Sequence, residues 1–132
     1  MERGRVQVEF VPHPKRASQM RSLACTQLRF CGYQDSSVVQ EVGVVVSELV
    51  TNAIRHGEAD TVTLLLVCEE SGEIRIEVDD HSPSATLPSA RPFDVDAEDG
   101  RGLVIVEALT SDWGREGSCT WCTFPATGGA AA

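Results

Sequence analysis

The sequence predicts an α+β domain, a two-layer α/β sandwich whose mixed, mostly antiparallel sheet carries helices on one face. Apolar residues alternate with polar ones in several short segments, and they recur at helical spacing in longer segments. The order of these segments, β-α-α-β-β-loop-α-β, holds few βαβ crossovers, which disfavours a parallel sheet. With 132 residues, 42% of them hydrophobic, the chain is long enough for one domain over 1–132, and we expect a disordered tail over about 126–132.

The first strand and the first helix are marked by their ends as well as by their patterns. Residues 5–11 alternate apolar and polar side chains, and Pro12 and Pro14 close this strand. Residues 17–31 place apolar side chains along one side of a helix, which Gly32 ends.

The second helix is predicted over 38–55. Its valines are poor helix formers, so the prediction rests on its length and on Gly57, which suits the end of a helix. Three polar residues that precede it are candidate N-caps: Asp35, Ser36 and Ser37.

Two strands follow, over 61–68 and 73–79, joined by a tight turn. Residues 81–99 are rich in Ser, Pro, Ala and Asp and are predicted to form a loop. This loop is much longer than the usual connection between elements, which is typical of a lid over a binding site.

A third helix is predicted from the Gly-Arg-Gly sequence at 100–102 to about Leu109, and a last strand over 118–124. Cys119 and Cys122 have CxxC spacing in that strand. Positions three apart in a strand point to opposite faces, so a metal or redox role is disfavoured. The odd total of five cysteines likewise fits no disulfide framework.

Composition excludes several classes of function. The net charge of −9, from 11 basic and 20 acidic side chains, disfavours binding to nucleic acid or to an anionic membrane surface. No apolar run approaches the length of a membrane span, and the N-terminus lacks the layout of a signal peptide. We therefore expect a cytoplasmic protein.

Two polar residues interrupt the apolar second helix. Glu48 and Asn52 lie four positions apart, so they share one face of the helix. They could form a solvated edge, with Glu48 paired to an arginine. Alternatively, they form a metal-and-water site, in which the amide oxygen binds a hard cation such as Mg²⁺ and the carboxylate activates a nucleophile.

The strand over 73–79 distinguishes two neighbouring carboxylates. Its alternation places Asp80 on the side of Ile74, Ile76 and Val78, and Asp79 on the solvent side. A carboxylate on the core side requires a donor, which is either another protein group or the amino group of a ligand. In the remaining alternative the strand has already ended and Asp80 caps a turn.

Gly100 and Gly102 form the third polar element. Glycines at a helix start let backbone N–H groups approach an anion. The pattern is also a common way to begin a helix, and it lacks the GK[ST] of a P-loop.

In combination these elements resemble a known family. The segments SELVTNAIRHG, at 47–57, and EDGRGLVIVEALTSDWG, at 98–114, are similar to the Asn box and the second glycine box of the ATP-binding domains of gyrase, Hsp90, histidine kinases and MutL. The resemblance covers Phe10 to Phe124 and is strongest to the bacterial anti-sigma-factor serine/threonine kinases of the short actinobacterial type. It implies the Bergerat ATP-binding fold.

The resemblance also implies roles for individual residues. Glu48 would be the catalytic base, Asn52 would bind Mg²⁺, and Asp80 would accept the amino group of adenine. The loop over 81–99 would be the ATP lid. Further nucleotide contacts would come from the glycine boxes and the last strand, at Ser82, Ser84, Gly100, Arg101, Gly102, Leu103 and Cys119.

The chain departs from the family pattern at three places. Ser82 and Ser84 replace both glycines of the first glycine box, which reads Asp-x-Gly-x-Gly in the family. Cys119, with Thr120 beside it, stands where a threonine usually assists the adenine-binding Asp. The lid carries four carboxylates that repel phosphate unless a cation offsets them: Asp94, Asp96, Glu98 and Asp99.

The implied function is that of an anti-sigma-factor regulator that acts by partner switching. Such a protein binds ATP with Mg²⁺, binds a sigma factor, phosphorylates Ser or Thr of a small antagonist protein, and forms a homodimer. The alternative is a binding module that sequesters a sigma factor or antagonist without phosphoryl transfer. The altered first glycine box favours the alternative, and the intact Glu48/Asn52 pair favours the kinase.

Overall fold

The computed structural model describes residues 1–34, 36–82 and 97–125. Asp35, most of the predicted lid and the expected tail over 126–132 lie outside them. The elements in chain order are β1 (Glu2–Phe10), α1 (Arg16–Phe30), α2 (Ser36–His56), β2 (Val62–Glu69), β3 (Ile74–Asp79), α3 (Ala97–Leu109), β4 (Asp112–Glu116) and β5 (Cys119–Phe124).

The strands form one sheet in the order β1-β2-β3-β5-β4. Each of the four described pairings is antiparallel, so the prediction of a mostly antiparallel sheet is confirmed and no parallel pair is present among the described strands. The register aligns one row of side chains across the core face of all five strands: Val8, Leu64, Val78, Thr120 and Arg115.

The helices cover one face of the sheet, which confirms the predicted two-layer sandwich. Helix α2 packs against both other helices and against β3, so it lies at the centre of the helical layer. Its valines at 42, 45, 46 and 50 are fully buried, and they meet the apolar row of β2 and β3. The opposite face of the sheet carries polar side chains of β1 and β3, as the alternation predicts.

Two local predictions need correction. Strand β4 was not predicted, because its sequence DWGRE is short and lacks alternating apolar residues. Helix α3 begins at Ala97, three residues before the glycine turn expected to open it, so Gly100 and Gly102 lie within its first two turns. The described residues 97–99 of the predicted loop are therefore helical.

Helix α2 also bears on the question of a membrane. By length and composition alone, Ser37–His56 is apolar enough to cross a bilayer. Its valine face is buried against the sheet and the other helices of the domain, which is the arrangement of a core helix in a globular protein.

Candidate functional site

The polar pair of α2 faces α3 at Gly102. A Cβ atom on this buried glycine would lie only 2.7 Å from Oε1 of Glu48 and 3.9 Å from Nδ2 of Asn52. Both polar side chains are partly buried, and neither forms a hydrogen bond or an ion pair with another described residue. Among the described residues, Glu48 is therefore not paired to an arginine, and the polar pair faces α3.

The C-terminal end of α2 lies next to Asp80. Gly57 follows the helix directly, and its N–H donates to the carbonyl of Ala53 at 2.9 Å. A Cβ on Gly57 would lie 3.1 Å from Cβ of Asp80. Helix α2 and the residue that follows it therefore align Glu48, Asn52 and the Asp80 contact along roughly 14 Å, taking 1.5 Å per residue from position 48 to 57.

Asp80 is on the core side, as parity predicts. It is 5% exposed, whereas the Asp79 side chain is 34% exposed. Its Oδ1 accepts the N–H of Ser82 at 2.8 Å, and its Oδ2 accepts Nη2 of Arg115 at 3.2 Å. Two of the three alternatives considered for Asp80 are therefore both present in the structure. Asp80 caps the turn that follows β3, and it also pairs with a donor from the protein itself.

Arg115 is the residue that sequence reasoning missed. It lies on the unpredicted strand β4, where Nη1 donates to Oγ1 of Thr120 at 3.0 Å while Nη2 binds Asp80. Thr120 and Arg115 are direct partners across β4 and β5, on the core face. Arg115, Thr120 and Asp80 thus form one polar cluster at the end of the buried layer. Applying strand parity to β5 would have selected Thr120.

Cys119 is not part of this cluster, which corrects its assignment as a nucleotide contact. It pairs with Asp79 in the register of β3 and β5, so its side chain lies on the opposite face of the sheet from Asp80. Its Sγ contacts Oε1 of Glu77 at 3.7 Å. Burial, with the nearby charges of Glu77 and Asp79, raises the pKa of Cys119 to about 12, so the thiol stays protonated at neutral pH.

The remaining cysteine of the CxxC lies on the other side. Cys122 is fully buried in the core, and burial raises the pKa of its thiol to about 12. The two thiols therefore face away from each other, as the spacing predicts. No group of three or more His, Cys, Asp or Glu side chains among the described residues is placed to hold a metal ion.

The described part of the first glycine box shows why a serine fits there. The one described non-glycine residue with positive φ is His81, at 55°, and not Ser82. Position 82 therefore has no conformational need for glycine. The N–H of His81 donates to Oδ1 of Asp79 at 2.8 Å, which turns the chain toward the polar face of the sheet.

The remaining predicted contacts are only partly visible. Leu103 is half-buried next to Gly102 in α3, and Gly100 lies in the first turn of that helix. Ser84 and the side chain of Arg101 are outside what the structure describes. At the α2–α3 contact, the structure places together two side chains that carry possible metal ligands, the carboxylate of Glu48 and the amide of Asn52. Oxygen donors of this kind fit a hard cation that keeps waters and phosphate oxygens as its other ligands.

A comparison with protein-family models gives one match over most of the chain. Residues 10–124 match the histidine kinase-like ATPase domain. None of the curated proteins compared with the chain matches it. The family implies ATP binding, and the antiparallel sheet with three helices on one face is consistent with its fold. On the extent of this match and the arrangement of α2, β3 and α3, the chain belongs to the histidine kinase-like ATPase domain family.

Proposed function

We propose that this domain is a cytoplasmic anti-sigma-factor regulator that acts by partner switching. In this role it transfers a phosphoryl group from Mg-ATP to Ser or Thr of a small antagonist protein, and it binds a sigma factor. The observation that carries the proposal is the close contact of Gly102 with the Glu48/Asn52 pair, because it brings the Asn box and the second glycine box into one site.

Each residue of that site has a task in the transfer. The attacking hydroxyl oxygen forms a bond to the γ-phosphorus, the bond from phosphorus to the β,γ-bridging oxygen breaks, and ADP leaves. Glu48 takes the hydroxyl proton, since its carboxylate is not engaged by another described residue. The Asn52 amide oxygen would hold Mg²⁺, which neutralises phosphate charge when it is bound. Asp80 accepts the amino group of adenine.

Glu48→Gln separates chemistry from binding. The amide keeps the shape and polarity of the carboxylate but cannot take a proton. We expect ATP affinity to stay within about twofold and the rate of transfer to fall by about 10²–10⁴, the usual contribution of a positioned base. The measurement is transfer of labelled phosphate from ATP to a serine-bearing candidate antagonist. A variant as fast as the wild-type protein would remove Glu48 from the mechanism.

A binding module without phosphoryl transfer is the second candidate. It is favoured by the Asp80 cluster, in which both carboxylate oxygens already have protein donors. In the same transfer assay, a wild-type protein and a Glu48→Gln variant that bind ATP equally well and are equally inert would establish this second function.

We also propose that the domain forms a homodimer through β1, which is an edge strand. Arg5, Gln7 and Glu9 are exposed on its polar face. If two copies pair antiparallel about Gln7, each Arg5 lies opposite the Glu9 of the other copy. The same register places Val6 opposite Val8 on the core face. A strand whose charges complement its own reversed copy supports pairing of this kind.

A further inference from the structure

We infer that Arg115 sets the nucleotide affinity of this domain by competing with the base for Asp80. This inference rests on the proposed nucleotide site. It assigns Arg115 a role that the family resemblance does not include, because the guanidinium stands at the carboxylate that would receive the adenine amino group.

The competition follows from the bonds of the Asp80 carboxylate. Its Oδ1 is engaged by the N–H of Ser82, two residues along the chain, which is part of the local turn. Its Oδ2 is engaged by Arg115 at 3.2 Å, and the side chain of Asp80 is only 6% exposed. An exocyclic amino group can reach this nearly enclosed carboxylate directly only if Nη2 of Arg115 gives up or shares Oδ2.

A second contact holds the Arg115 side chain in place beside the Asp80 carboxylate. Its Nη1 donates to Oγ1 of Thr120, the direct cross-strand partner of Arg115. The planar guanidinium therefore bridges the hydroxyl and the carboxylate with two different nitrogens, in a fixed geometry. The side chain is 25% exposed, so a path to solvent is open to it when a base enters.

The ion pair also explains how the domain tolerates Asp80 in the absence of nucleotide. A buried carboxylate without a donor is strongly unfavourable, and the amino group of a ligand is available only when the ligand is bound. Arg115 supplies the positive charge internally, beside the Ser82 N–H that already donates to Oδ1. The same contact that stabilises the nucleotide-free fold therefore opposes nucleotide binding, and loss of Arg115 must change these two properties in opposite directions.

The test is Arg115→Met, a variant of similar length that has no donor. We expect its nucleotide-free melting temperature to fall and its affinity for Mg-ATP to rise by about one to two decades, the range for one charge-assisted hydrogen bond. Thr120→Val removes only the second anchor of Arg115, and we expect a smaller gain in affinity. The matched control is Arg75→Met, because Arg75 lies on the opposite face of the sheet, over the Trp121 ring and beside Glu77. This control should leave ATP affinity unchanged.

Calorimetric titration of Mg-ATP and of Mg-ITP into all four proteins separates the outcomes. A folded Arg115→Met protein with unchanged or weaker ATP affinity overturns the inference and leaves the proposed function intact. If the Arg115→Met variant binds nucleotide and the wild-type protein does not, the inference is supported, and the proposed ATP-dependent function of the wild-type protein is removed. If neither binds, both fail. If ITP binds the wild-type protein more tightly than ATP does, Arg115 donates to the base and the competition is refuted.

Discussion

Replacing Gly102 by alanine tests the α2–α3 contact, because it adds one methyl group at the point where α3 approaches the Glu48/Asn52 pair of α2. The new Cβ would lie 2.7 Å from Oε1 of Glu48, whereas ordinary contacts begin at 3.4 Å. The carboxylate must therefore move by about 0.7 Å, or rotate away. A Cβ at this position would also lie 3.9 Å from Nδ2 of Asn52, which is ordinary contact, so the proposed metal ligand is not displaced.

The expected effects on stability and on turnover differ in size. Alanine within a helix is favoured over glycine by about 1 kcal/mol, and an off-rotamer Glu48 costs about 0.5–1.5 kcal/mol, so the free energy of unfolding should change by less than about 1 kcal/mol. A catalytic group displaced by about 1 Å can lose about 10²-fold in rate. We therefore expect a large loss of phosphoryl transfer in a protein of nearly unchanged stability.

The assay pairs thermal unfolding with transfer of labelled phosphate to an antagonist. The control is Gly43→Ala, also in a helix of the domain. Its Cβ would meet Cys25 and Arg21 at 3.1–3.2 Å, away from the polar pair, so only stability should respond. Full activity in Gly102→Ala would refute the reasoning. So would an unfolding free energy that falls by several kcal/mol, because the contact would then be structural.

Three further predictions follow from other parts of the structure. Asp80→Asn should reduce ATP affinity by about one to two decades, since it removes a charged acceptor, whereas Asp79→Asn on the opposite face should not; calorimetry that finds equal effects would contradict the assignment. Burial acts to raise the pKa of Asp79, but the Ser118 hydroxyl at 2.5 Å and the His81 N–H outweigh it and lower the pKa. The stability that Asp79 contributes is therefore complete above its ordinary pKa and is lost as pH falls below about 4, so Asp79→Asn should flatten acid unfolding curves in this range; an unchanged acid limb would count against it. For the β1 dimer, Arg5→Glu and Glu9→Arg should each weaken association in sedimentation experiments, and the double variant should restore it; a double variant as weak as the single ones would exclude the proposed register.

Much of the fold could be predicted because its signals are periodic and local. The alternation in β3 placed Asp80 in the buried layer, and the i, i+4 spacing placed Glu48 and Asn52 on one face of α2. These inferences use only the geometry of a single element. They needed no knowledge of how the elements pack.

The parts that could not be predicted depend on contacts between distant segments. Strand β4 exists because it pairs with β5, and its own sequence lacks a strand pattern. Arg115 could therefore not be assigned to Asp80, which lies 35 positions away in the chain. Helix α3 likewise begins at Ala97, three residues before the Gly-Arg-Gly sequence at 100–102, and the glycine pattern carries no signal for that start.

The most direct test of the central claim is calorimetric titration of Mg-ATP into the wild-type protein, with melting temperature followed in parallel. A site formed by α2, β3 and α3 predicts one nucleotide bound per chain. It also predicts a melting temperature that rises with ATP concentration, since a ligand specific for the folded state stabilises it by mass action. The absence of both heat and thermal shift at millimolar Mg-ATP would contradict the claim that these three elements form a working nucleotide site.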